Sequence, residues 1–158
     1  MNEQDRELLF IDLCGRLPYE VKVNVNSEYL SEELIKSGYD KPLVVYGVTA
    51  DGSISFTLDK FLMEYSMPIL SIKPYLFPLS SMTEEQRIEA SFEFGSKKYK
   101  VNIFGNIESY SEIGDDIAYI DLENIERYIN WLNKNHFDYR GLIEKGLAID
   151  ATNLGIYK

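Results

Sequence analysis

The chain has 158 residues, 45% of them apolar, and carries a formal charge of −10 at pH 7. That length is one domain's worth and buries about 68–70% of the unfolded chain's surface, so a core needs neither metal nor disulfide. The acidity disfavours direct binding to nucleic-acid phosphates or to an anionic membrane surface.

Residues 3–16 read as a first helix, with Leu9, Leu13 and Arg16 or Leu17 on one face and Phe10 and Cys14 beside it. Pro18 stops it. YEVKVNVN then alternates, Val21, Val23 and Val25 against Lys22, Asn24 and Asn26, as a half-buried strand does. SEYLSEELIKSG reads as a short helix, capped by Ser27 or Ser31 and ended by a left-handed Gly38. LVVYGVT and SISFTL, joined by a two-residue Asp51–Gly52 turn, give a strong hairpin signal. PILSIKP, 68–74, is a further strand. At 74–83 the pattern breaks, and PYLFPLSSMT reads as a linker between two subdomains or a surface strap.

TEEQRIEA opens a second helical stretch, in which Thr83 with Gln86, or Ser81 with Glu84, has capping-box spacing. SFEFGSKKYKVNIFG reads as a hairpin turning at GSKK, and IAYI adds a strand. Asp121 caps the clearest helix, DLENIERYINWLNKN, with Leu122, Ile125, Ile129 and Leu132 on one face and Tyr128 and Trp131 flanking it. The expected class is α+β. It is one compact domain over 1–158, or two subdomains joined near 74–83, built on a small mixed or antiparallel sheet or partly open barrel with flanking helices.

The candidate chemistry lies in NHFDYRGLIEKGLAID, residues 135–150. His136 is the chain's only histidine. His136 with Asp138 has the look of two ligands. Catalytic zinc, however, takes three protein ligands, so the histidine reads instead as a helix-ending cation favoured by the dipole. Asp138 and Arg140 offer two acceptors and a fork of donors, each costly to bury alone. They read as a latch fixing the path of a packed tail, through hydrogen bonds to backbone or to each other, with an active-site pair as the alternative. Cys14 reads as a buried structural thiol. One cysteine forms no intramolecular disulfide, which suits a reducing cytoplasm. MNEQDRELL carries no signal-peptide pattern, and no run approaches the 18 or so apolar residues of a membrane span. Nucleophile elbow, phosphate loop and dinucleotide fingerprint are all missing from the sequence. Tyr75, Leu76 and Phe77, bounded by prolines, read either as a partner-docking surface or as plugs of the core.

Three segments, LCGRLPYEVKV, IKPYLFPLSSMTEEQ and WLNKNHFDYRGLIEKGLAID, resemble a family of short proteins common in Bacteroides-type gut bacteria and their phages and mobile elements. The resemblance implies a small cytoplasmic accessory protein and carries no catalytic residue, metal or cofactor with it. The leading expectation is a non-enzymatic protein that acts through a protein partner. One alternative is an acidic inhibitor that mimics nucleic acid, with Glu28, Glu32, Glu33, Glu112, Asp115 and Asp116 as its face. The other is a small metal- or phosphate-dependent enzyme using His136 and Asp138.

Overall fold

A computed structural model describes residues 2–57, 65–94, 97–102, 104–111 and 122–157. The expected cap Asp121, the IAYI strand, part of the GSKK turn, and Glu112, Asp115 and Asp116 lie outside these residues.

Helix α1, Glu3–Arg16, starts at a capping box in which Asn2 and Asp5 bond each other's backbone N–H. Two orphan donors of the first turn are thereby satisfied. Its buried stripe is Leu9, Asp12, Leu13 and Arg16. Cys14 is exposed, against expectation, because Asp12 and Arg16 occupy the buried positions flanking the two leucines and turn residue 14 outward. A turn of 3₁₀ helix at Leu17–Tyr19 leads to strand β1, Lys22–Val25, whose valines point inward as the alternation requires. Ser31 caps α2, Glu32–Lys36, by accepting from the Leu34 N–H, and Gly38 follows at φ +89°.

Strands β2, Leu43–Val48, and β3, Ser53–Thr57, form the expected hairpin. Its loop has three residues rather than two. Thr49 N–H bonds Ser53 O, Gly52 N–H bonds Thr49 O, and Gly52 takes the left-handed position at φ +81°. A three-residue loop closes in this way with a glycine at its last place. β4, Tyr65–Pro68, pairs with β3, and a 3₁₀ turn at Ile69–Ser71 leads into β5, Ile72–Pro78. The PYLFP run is thus the second half of an interior strand and neither a linker nor a strap.

Helix α3, Glu84–Ala90, is capped by the Thr83–Gln86 box. A second sheet follows, β6 (Phe92–Phe94), β7 (Lys97–Val101) and β8 (Ile107–Ser111), in that order and antiparallel throughout. α4, Leu122–Lys134, buries Asn124, Tyr128 and Leu132, a face rotated from the expected one; Ile125 and Ile129 are only half-buried. Two short strands close the chain: β9, Phe137–Asp138, and β10, Ile149–Asp150.

The fold is α+β, on a seven-stranded mixed sheet that is open rather than barrel-like. Its order is β10-β5-β1-β2-β3-β4, with β9 also on β5. Both β9 and β10 run parallel to β5; the remaining pairs are antiparallel. β5 separates two apolar cores. Ile72 and Leu76 belong to the larger, with Leu9, Leu13 and the β1 valines. Phe77 packs with the smaller, which contains Met82, Val101, Tyr128, Leu132 and Phe137. Neighbouring strand residues point to opposite faces, so Leu76 and Phe77 serve opposite cores. No helix among the described residues is long and apolar enough to cross a membrane.

Candidate functional site

Three stretches distant in sequence converge here. The end of α1 and β1, the strand β5, and the exit of α4 pack together around a buried ion pair. Asp12 and Arg16 lie one turn apart on α1, and both side chains are fully buried. Arg16 Nε donates to Asp12 Oδ2 at 2.7 Å and Nη2 to Oδ1 at 2.9 Å. Nη2 also donates to the Phe137 carbonyl at 2.8 Å, a contact spanning most of the chain. Such a two-pronged pair fixes orientation as well as charge.

Sequence reasoning placed the latch at Asp138 and Arg140. The structure separates them. Asp138 accepts the Leu142 N–H (2.9 Å) and the Ile143 N–H (2.8 Å), so both oxygens are spent on the backbone of the turn that follows. Arg140 turns to α1 instead, its Nε 3.5 Å from Asp12 Oδ1 and its guanidinium over the Tyr139 ring. The latch is therefore Asp12–Arg16, with Arg140 as a third member. A sequence signal existed: D-x-x-x-R spacing that falls in register with Leu9 and Leu13. Charged residues inside an apolar stripe are buried only when paired.

His136 does end the helix, at φ +58°, but not as an exposed cation. It is buried, and its ring stacks on Tyr157 at 3.9 Å between centroids, nearly parallel. Burial, then the charges of Arg16 and Lys22, push its pKa down to about 4, so the ring is neutral at pH 7. Its backbone carbonyl accepts the Phe77 N–H, tying α4's exit to β5. Tyr157, which sequence reasoning did not single out, donates its hydroxyl to Tyr75 O at 2.8 Å and accepts the Lys22 N–H at 3.1 Å. Burial raises its pKa to about 12.

Beside this stack is a cleft of about 430 Å³, bordered by Phe77, Gln86, Lys134, His136, Thr152 and Tyr157. Six buried side-chain polar atoms, Arg16 Nη1, Trp131 Nε1, Asn133 Oδ1, His136 Nδ1, Tyr139 Oη and Arg140 Nε, have no hydrogen-bond partner among the described residues. Among those residues no group of three or more His, Cys, Asp and Glu is arranged to hold a metal ion. The docking candidates Tyr75 and Leu76 are buried and Phe77 is half-buried, so all three line strand β5 rather than a free surface. Glu28, Glu32 and Glu33 are exposed around α2. No protein-family model, no curated protein and no solved structure matches the chain.

Proposed function

We propose that this is a small non-catalytic accessory protein that acts by binding a protein partner, as its resemblance to proteins of phages and mobile elements implies. The observation that carries the reading is the commitment of Asp138. Both its oxygens accept backbone N–H groups within its own turn, so holding that turn accounts for the carboxylate without a role as general base or metal ligand beside His136. A carboxylate satisfied in this way is a structural cap. His136 is likewise covered by Tyr157.

A binding role draws support from two large apolar side chains left in solvent on the smaller half of the fold. Ile88 on α3 and Phe104 in the β7–β8 turn are 65% and 66% exposed. Apolar groups on an acidic surface suit a protein partner better than a phosphate backbone or an anionic bilayer. The test is affinity capture with the wild type, Ile88→Ser, Phe104→Ser and, as a control at an exposed position elsewhere, Ile35→Ser. One specific protein retained by the wild type and the control but lost by the first two supports the reading. Equal capture by all four, or turnover of a phosphate ester abolished by His136→Asn, overturns it.

A further inference from the structure

The chain after β10 crosses the body as a strap. It leaves β10 at Ala151, whose N–H bonds Leu76 O, and residues 152–155 are exposed. Among the described residues it is fastened to the body again at Ile156 and Tyr157. Lys22 Nζ donates to Ile156 O at 2.6 Å, the Tyr157 hydroxyl makes its two bonds to β1 and β5, and its ring lies against His136 and Phe77. The cleft of about 430 Å³ has this strap as one wall and Phe77, Gln86 and the end of α4 as the other.

We propose that residues 152–157 form an acid-releasable lid: protonation of His136 undocks Tyr157 and opens the cleft while the rest of the fold stays intact. The groups around the stacked rings leave no place for another positive charge. From α1 come Arg16 and Asp12, from β1 Lys22, from β5 Tyr75, and from the end of α4 Lys134. The one carboxylate among them, Asp12, is already shared by Arg16 and Arg140. Asp138, on the histidine's own segment, is held by the backbone amides of Leu142 and Ile143. A protonated His136 would therefore sit buried beside Arg16 and Lys22 with no free counter-ion around the rings among the described residues, and a buried charge in that setting is expelled or solvated.

Outward movement of the strap is the least costly relief. Residues 152–155 are exposed, whereas Phe137 behind the ring belongs to the smaller core. With the folded pKa near 4 and a freed ring near its ordinary 6.5, the released population grows about 30-fold between pH 7.5 and pH 5 by proton linkage.

A single histidine makes the experiment direct, because only one imidazole titrates. Ring carbon–proton NMR follows His136, while relaxation-dispersion NMR on Leu154 and Tyr157 reads the population of the released state. The expected result is a roughly 30-fold rise of that population between pH 7.5 and 5, with α1 and β5 signals unchanged. Tyr157→Ala should raise the His136 pKa toward its ordinary value. His136→Asn, which tolerates the left-handed backbone, should abolish the acid response. A strap indifferent to pH, a strap that loosens only together with β5, or an acid response retained in His136→Asn overturns the proposal. Should His136→Asn fail to fold, an unchanged His136 pKa in Tyr157→Ala overturns it on its own.

Discussion

Arg16 illustrates how a single side chain can hold distant parts of a chain together. Its guanidinium is fully buried, bonded twice to Asp12 and once to the carbonyl of Phe137. Removing one partner of such a pair strands the other charge in the interior. Arg16→Leu should therefore cost about 3–5 kcal/mol, whereas replacing both, Asp12→Leu with Arg16→Leu, should cost far less. Urea denaturation of the four proteins of this double-mutant cycle checks it. Asp138→Ala removes two charge-assisted acceptors from buried amides and should cost about 2–4 kcal/mol by the same measurement. Arg140→Ala should cost less than either, since that side chain is 27% exposed and touches Asp12 only at 3.5 Å. Cys14 lies in solvent, so native protein should react with a thiol reagent. Its pKa is held above the ordinary value by partial burial, which makes the reaction slower than with a free thiol at the same pH. Cys14→Ser should shift stability by no more than about 0.5 kcal/mol. At this scale the sequence pointed to the correct stretch and, for Asp138, to one of its two expected modes, hydrogen bonds to backbone rather than to Arg140. Arg140 does neither: it reaches Asp12 on α1. No local pattern tells a reader that Arg16 reaches a carbonyl 121 residues away.

The elements show the same division between local and long-range information. Two caps were among those the sequence offered, because a cap is a contact between residues three apart: Ser31 on α2 and the Thr83–Gln86 box on α3 are both present, while the Asn2–Asp5 box of α1 went unread. The β1 alternation and the β2–β3 hairpin were legible for a similar reason. Of β5 only the start, residues 72–74, was legible, within PILSIKP; its second half was not, because Pro74 and Pro78 deny donors to a sheet and argue against an interior strand. The sheet accommodates Pro74 by its pairing: β1 lies along one edge at that position, while partners on the other edge begin only at Tyr75 with β10 and continue at Phe77 with β9. β8 was missed because I-E-S-Y-S has too little apolar content to announce a strand. Two glycines allow a test of how far turn geometry is set by backbone or by packing. Gly146 lies at φ +69° with nothing near the place of a Cβ, so Gly146→Ala should cost about 1 kcal/mol from backbone strain alone. Gly105 lies at φ +76°, and a Cβ there would come within 2.9 Å of Leu79 Cβ, so Gly105→Ala should cost about 2–4 kcal/mol. Thermal melts of the two variants give the comparison. Equal shifts would mean that Leu79 moves aside freely.

Across the whole molecule, the converging segments make stability depend on the protonation of one ring. The unfolded chain holds its histidine at the ordinary pKa near 6.5, while the folded chain holds His136 at about 4. As pH falls from 6.5 the unfolded state takes up a proton that the folded state refuses. Stability is thus whole above 6.5 and declines down to pH 4, by at most about 3 kcal/mol. Unfolding by urea at steps from pH 7.5 to 4 should show this decline, and His136→Asn should flatten the histidine's share of it. The size of the decline carries a second piece of information. If the strap detaches on its own, a state exists in which the body is folded and His136 is free to take its proton at an ordinary pKa. The loss of global stability then stops at the free energy that docks the strap and falls short of 3 kcal/mol. A decline that reaches the full value would mean that His136 gains its proton only when the body itself comes apart. A plateau reached well above pH 4, together with an unchanged urea dependence of the remaining transition, would measure how strongly Tyr157 holds the strap down.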